Sequence, residues 1–274
     1  MNANPGEAPA QWPAVVARGL WKRYDQNVAV AGLDLDVPTG CFFGLVGPNG
    51  AGKTTSIRMM VGLLRPDAGQ VWVEARDVWA DPAAVKASIG VLPDDARLFE
   101  RLTGGELLDY CGMLRSMAPA VIAERRDELL RVLGLTDAAD TLVVDYSTGM
   151  RKKVALASAL LHAPRVLFLD EPFEAVDPVS TRVIRDVLER FTDGGGTVVF
   201  SSHVMEVVER LCDRVGVLHQ GRMIAEGPTD ELRAGRRLED VFVDLVGASS
   251  AGADGLGWLA SSPTAPAPPP PSPQ

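Results

Sequence analysis

The sequence predicts an α/β fold with a mainly parallel sheet. Two apolar runs, Cys41 to Val46 and Arg165 to Leu169, have strand length and lack the polar alternation of a half-exposed strand. Strand-like runs then alternate with helix-like ones over most of the chain. A mostly helical stretch, Arg97 to His162, separates the two buried runs and reads as an insertion.

In chain order, Val15 to Val37 reads as two short strands, the second alternating as Leu33-Asp34-Leu35-Asp36-Val37. Cys41 to Val46 leads into a glycine-rich turn. A helix is expected from about Lys53 to Leu64, stopped by Arg65-Pro66-Asp67. Gly69 to Asp77 reads as one strand centred on Val71-Trp72-Val73, and Ile89 to Pro93 as the strand that enters the helical stretch. Thr103 and Glu106 have the spacing of a capping box, so a helix is expected to start there. Leu107, Leu108, Cys111 and Leu114 follow at helical spacing, as a face packed on the domain. Beyond Leu169 come a helix over Val179 to Phe191, a strand over Thr197 to Ser201 and a helix over Val204 to Cys212. The strand Val215 to His219 then turns through Gln220-Gly221-Arg222 into Met223-Ile224-Ala225.

The chain has 274 residues, 46% of them hydrophobic, which is enough for a sizeable core. Its net charge of −9 argues against a general nucleic-acid binder, which needs clustered Lys and Arg to neutralise phosphate. Cys41, Cys111 and Cys212 are scattered without a CxxC pair, as expected in a reducing, cytosolic compartment. Residues 1–13 are rich in Ala, Pro and Asn and read as a flexible start without the pattern of a signal peptide. The longest apolar runs, such as Val154 to Leu161, fall far below the roughly 20 residues of a membrane helix. Any membrane work is therefore expected to pass through another chain. Residues 248–274, mainly Ala, Ser, Gly and Pro, read as a disordered tail.

Two motifs carry chemistry. Gly47-Pro48-Asn49-Gly50-Ala51-Gly52-Lys53-Thr54 matches GxxxxGK[ST] between a buried strand and a helix. Its glycines let successive backbone N–H groups wrap a phosphate chain, and the helix start adds a favourable dipole. Lys53 is expected to reach the β- and γ-phosphates, and the Thr54 hydroxyl to ligate Mg²⁺. Gly47, Asn49, Gly50, Gly52 and Thr55 join them as candidate nucleotide contacts. Asp170 and Glu171 end the second buried strand. Asp170 is placed to hold Mg²⁺ through its water shell, and Glu171 to polarise an attacking water.

With these motifs in place, Tyr146-Ser147-Thr148-Gly149-Met150, opening a helix shortly before Asp170, resembles a variant of the LSGGQ signature of ABC transporters. The resemblance to their nucleotide-binding subunit covers about Val15 to Gly247. It implies a P-loop NTPase core with a mainly parallel sheet, an antiparallel β subdomain and an inserted helical subdomain at about 97–162, all within a domain spanning 14–247. It also implies MgATP bound between two copies of the chain, or between the chain and a close homologue. Ser147 and the backbone at Gly149 then meet the γ-phosphate held by the other copy. Tyr24 falls where an aromatic stacks on adenine, Asp177 in the loop that couples the two sites, and His203 where a histidine contacts the γ-phosphate. By pattern alone, Asp177-Pro178 is also a helix cap.

Two departures stand out. Asp94 occupies the position of a magnesium-sensing glutamine, and the signature carries Thr148 and Met150 where glycine and glutamine are usual. An aspartate still offers oxygen to the metal but is shorter and adds charge. Such variants resemble exporter subunits for drugs, peptides or polysaccharides, as does the helix-like Leu238-Glu239-Asp240-Val241-Phe242. The resemblance thus implies an ATPase that powers export through an integral membrane subunit, held peripherally at the cytoplasmic face of the membrane. The rival is a soluble ABC-type ATPase of repair, translation or cluster assembly. Such proteins usually carry coiled coils, zinc modules or a second ATPase domain. A third reading, a nucleotide-regulated module without turnover, sits poorly with the presence of Glu171 and His203.

Overall fold

The computed structural model describes residues 12–247. The tail expected at 248–274, and all but the last two residues of the flexible start expected at 1–13, lie outside them.

Two sheets form the framework. The larger has the order β10-β9-β3-β8-β7-β6. Its strands are β3 (Phe42–Val46), β6 (Ile89–Leu92), β7 (Val166–Asp170), β8 (Thr197–Ser202), β9 (Arg214–His219) and β10 (Arg222–Pro228). All pair in parallel except β10, which folds back on β9 as an antiparallel edge. The strands in the middle of this sheet are buried on both faces, which explains their unbroken apolar sequence. Their side chains still divide by the two-residue period of a strand. Val166 and Phe168 join one core cluster, Leu167 and Leu169 the other.

The first cluster lies between the large sheet, α1 (Lys53–Met60), α2 (Pro82–Ser88) and the small antiparallel sheet, whose order is β2-β1-β4-β5. That sheet contains β1 (Val15–Tyr24), β2 (Asn27–Val37), β4 (Ala68–Val73) and β5 (Arg76–Asp77). The second cluster packs the opposite face against α5 (Thr148–Leu160), α6 (Pro178–Asp193) and α7 (Met205–Leu211). Beside α5 stand α3 (Gly104–Leu114) and α4 (Pro119–Val132), and two 3₁₀ turns, Thr136–Ala138 and Val143–Asp145, connect α4 to α5. The described residues end with α8 (Thr229–Arg233) and α9 (Leu238–Val246), with Leu238 buried and Phe242 packed on the core.

Several elements differ from the sequence reading. The first two strands are long and bulged rather than short, and pair from Val15↔Val37 to Tyr24↔Asn27. The strand expected over Gly69 to Asp77 is a hairpin, β4 and β5, turning at Glu74 and Ala75, both with positive φ. Such a turn normally announces itself by Asn or Gly, and neither is present. Helix α1 stops at Met60, earlier than expected. Gly62, at φ 70, lets Leu63 N and Gly62 N fold back on Arg58 O and Met59 O at 2.9 and 3.2 Å, which closes the helix. Helix α2 was not read at all, although Asp81 caps it and Pro82 opens it.

The capping box on α3 forms as expected. Thr103 Oγ1 accepts from Glu106 N at 3.2 Å, and Thr103 N donates to Glu106 Oε2 at 2.9 Å. Leu107 and Leu108 are buried and Cys111 half-buried, but Leu114 is 66% exposed. The buried stripe runs instead through Gly104, Leu107, Leu108 and Gly112, where Ile122 of α4 comes close.

Three basic groups gather at the foot of this helical region. Arg115 donates to Lys86 O at the end of α2, Arg125 to Leu161 O at the end of α5, and His162 Nε2 to Ile89 O at 2.9 Å. His162 Nδ1 is buried without a partner, which suits an unprotonated nitrogen. Burial, then the charge of Arg115, pushes the His162 pKa down from 6.5 to about 4, against the pull of the Ile89 carbonyl. The unfolded chain therefore takes up a proton first. The stability from neutral His162, at most about 3 kcal/mol, is full above pH 6.5 and lost as pH falls toward 4. A His162→Gln variant, which keeps a donor to Ile89, is expected to lose less stability than the parent between pH 7 and 4.5 in urea unfolding.

Candidate functional site

Four neighbouring parallel strands deliver the candidate residues to one edge of the large sheet, their C-terminal edge. Strand β3 runs into the glycine-rich loop, β6 toward Asp94, β7 into Asp170 and Glu171, and β8 into Ser201, Ser202 and His203. The register sets them side by side, with Asp170 opposite Ser201 and Val46 opposite Ser202. Ligands in open parallel sheets bind at such an edge.

The loop curls around the end of α1. Gly52 caps that helix at φ 104 with no side-chain cap, so the first-turn N–H groups stay free for an anion. Lys53 is buried, and its Nζ donates to Gly47 O at 2.7 Å and to Pro48 O at 3.4 Å. The loop is braced from below by the turn between β9 and β10. Gly221 N donates to Ala51 O at 2.9 Å, while Gly221 O accepts from Ala31 N of β2 at 2.8 Å.

A cleft of about 510 Å³ opens over the loop, lined by Tyr24, Asn27, Ala29, residues 48–55, Asp94, Glu171 and Glu174. Tyr24, Asn49, Gly50, Gly52, Lys53, Thr54, Thr55, Asp94 and Glu171 are therefore brought together, with Gly47 just behind. Tyr24 presents its ring from the end of β1, 45% exposed.

The acidic pair is tightly held. Asp170 is buried; Ser201 Oγ donates to its Oδ1 at 2.6 Å, and the nearby Thr54 hydroxyl also favours its ionised form. Burial pushes the Asp170 carboxyl above the ordinary range, the charges of Asp94 and Glu171 add to the rise, and the two hydroxyls oppose it. Glu171 has a positive φ of 47, and its N–H donates to Ser201 Oγ at 2.9 Å. Its carboxylate lies between Lys53 Nζ, 3.3 Å from Oε1, and His203 Nδ1, 3.0 Å from Oε2.

The signature stretch lies elsewhere. Ser147 caps α5 by accepting from Met150 N at 3.2 Å, and both Ser147 and Thr148 are exposed. Neither Ser147 nor Gly149 lines the cleft of its own chain. Asp177 caps α6 by accepting from Ser180 N at 2.9 Å. It also packs on Gly149, where a Cβ would come within 2.7 Å of Asp177 Oδ2. The helix ends carrying these motifs are thus joined.

Two site residues went unread in the sequence. Ser201 bridges Asp170 and the Glu171 backbone; its only signal was its place before Ser202-His203. Lys152, on α5, donates to Glu171 O at 3.0 Å and to Asp94 O at 3.4 Å, with Nζ 3.7 Å from Asp94 Oδ1. Nothing in the run Arg151-Lys152-Lys153 distinguishes it.

The sequence profile described as ABC transporter matches residues 30–174. The chain belongs to this family. It is 42% identical over 221 residues to the daunorubicin/doxorubicin resistance ATP-binding protein DrrA of Streptomyces peucetius, covering 81% of this chain and 67% of that one. A solved ATP-binding subunit of an ABC transporter superposes with a TM-score of 0.79 at 27% identity, covering 85% of this chain and 99% of that one. CbiO1 of Clostridium perfringens, described as part of the ABC transporter complex cbiONQ, gives 0.73 at 26% identity, covering 85% and 95%. As an ABC transporter ATP-binding subunit, the chain is an ATPase with the P-loop α/β fold, and such subunits work with membrane subunits. No helix among the described residues of this ABC subunit is long and apolar enough to cross a membrane.

Proposed function

We propose that the chain hydrolyses MgATP in a site shared by two copies of this ABC subunit, and that the closure drives export through a separate integral membrane subunit. The observation that carries this is the convergence of the phosphate loop, Asp94, Asp170, Glu171 and His203 at one sheet edge, with Ser147 and Gly149 outside the cleft. A helix end exposed and absent from its own cleft supports a partner's cleft as its target. Identical copies supply every motif for both halves, so we propose a homodimer, with a close homologue as the other possible partner. No nucleic acid enters this reading.

In this scheme Tyr24 stacks on the adenine ring, and the N–H groups of the loop from Gly47 to Thr55, with Lys53, hold the phosphates. The donors beside the phosphate seat are a hydroxyl and two carboxylates, Thr54, Asp170 and Asp94. That all-oxygen set fits Mg²⁺, which prefers one or two carboxylates beside phosphate oxygens. When bound, the metal neutralises charge on the phosphates. Glu171 takes the proton of the attacking water, and His203, hydrogen-bonded to it, faces the terminal phosphate. Asp177 joins the two sites across the dimer.

We further propose the ATPase domain as 14–247, with the helical subdomain at about 97–162 presenting the surface that meets the membrane subunit. The chain then sits peripherally on the cytoplasmic face of the membrane. The drug-resistance name of the Streptomyces relative supports export as the direction. The test is turnover by the purified chain together with gel filtration with and without MgATP. The expected result is ATP-dependent dimerisation and turnover, enhanced by membranes that contain the partner. A chain that stays monomeric and inactive in their presence would sink the reading.

A further inference from the structure

The site edge gathers three carboxylates, Asp94, Asp170 and Glu171, against few cations. Lys53 answers Glu171. The three consecutive basic residues on α5 diverge. Arg151 turns to Glu100 and to the carbonyls of Val144 and Tyr146, while Lys153 is buried in the field of Asp177. Lys152 alone of the three reaches the site, its side chain only 11% exposed. Its ammonium lies among three oxygens, the Glu171 carbonyl, the Asp94 carbonyl and Asp94 Oδ1.

We propose that Lys152 is a positioning residue for the ATPase reaction. It neutralises the charge of Asp94 and fixes the backbone that aims Glu171. Both halves follow from the geometry. A carboxylate at position 94 adds a third negative charge beside Asp170 and Glu171, and an ammonium within 4 Å of it offsets that charge. An amide at position 94 would need no such counter-charge. Glu171 takes its positive φ at the residue whose carbonyl Lys152 binds, a conformation that persists only where its surroundings hold it. Lys152 also lies on the helix whose exposed end carries Ser147 and Thr148, one turn away. Movement of that end against a partner is thereby delivered to Asp94 and Glu171 together.

This inference rests on the ATPase reading above, and a double-mutant cycle separates the two. Lys152→Gln is expected to lower kcat about tenfold with KM for ATP changed less than twofold, a split that points to positioning rather than binding. In an Asp94→Asn background the same change is expected to cost clearly less, about threefold, because the charge it answered is gone and only the hold on the two carbonyls is lost. Lys152→Arg should recover most of the loss. Independently of activity, hydrogen exchange of the nucleotide-free chain should speed up at 93–96 and 171–175 in Lys152→Gln but not in Lys152→Arg. Equal losses in both backgrounds, or unchanged exchange, would overturn the inference and leave the ATPase reading standing. A parent chain that fails to bind MgATP would overturn both.

Discussion

Glu171→Gln is expected to lower ATP turnover by roughly a thousandfold while leaving ATP binding intact. A positioned general base contributes about 10²–10⁴-fold, and the carboxamide has the same shape without the basicity. The substitution should leave the surroundings in place, because the anchors of this residue are mainly backbone groups. Its N–H is held by Ser201 Oγ at 2.9 Å and its carbonyl by Lys152 at 3.0 Å. Lys53 loses a carboxylate partner but keeps its bonds to the carbonyls of Gly47 and Pro48. The stability cost should therefore stay below the about 3–5 kcal/mol of a buried charge with no partner. With hydrolysis blocked, MgATP should hold the variant as a dimer on gel filtration. Turnover at the parental rate would show that the base lies elsewhere, and His203→Ala would then be the next variant to assay.

Gly52→Ala is expected to be the most damaging single methyl group in the phosphate loop. At φ 104 an L-residue is strained, and the added Cβ would stand 2.3 Å from Ala29 O, a backbone atom that cannot swing aside. Strain and overlap together should cost about 3 kcal/mol, unless the loop lifts off β2 and loses its grip on phosphate. Gly50→Ala is the control. Gly50 shares the positive φ, at 79, but a Cβ there would meet nothing within 4 Å. The expected order in ATP titrations and in urea midpoints is parent, then Gly50→Ala, then Gly52→Ala well below both. Equal ATP affinity for Gly52→Ala and parent would mean that the loop is not the phosphate cradle.

What the sequence disclosed about this ABC subunit was whatever is local. The phosphate loop, the Asp170–Glu171 pair, the Thr103–Glu106 box and the apolar strands each lie within a few residues, so spacing alone exposes them. The hairpin at Glu74–Ala75 was hidden because its left-handed turn is built from residues that ordinarily avoid that conformation. The early end of α1 had a signal in Gly62, outweighed by the apolar Leu63-Leu64 that follows. Leu114 had the right spacing but sits at the end of α3, past the point where α4 covers it. Ser201 and Lys152 are a different case. Lys152 meets Asp94 across 58 positions and Ser201 meets Asp170 across 31, so only the folded sheet and α5 bring them together.

The small turn at Gly221 has a reach out of proportion to its size. By gripping Ala51 on one side and Ala31 on the other, it welds the phosphate loop to the sheet that carries Tyr24. In the proposed site, the seats for the base and for the inner phosphates are then the fixed jaw of a caliper, set before any nucleotide arrives. ADP and ATP share that jaw and differ only at the far end, where Glu171, His203 and a facing helix close as the moving one. Holding the nucleotide and telling a spent one from a fresh one are thereby assigned to different parts of the molecule, so that variants at the far end should change how long two copies stay together far more than how tightly either grips its nucleotide.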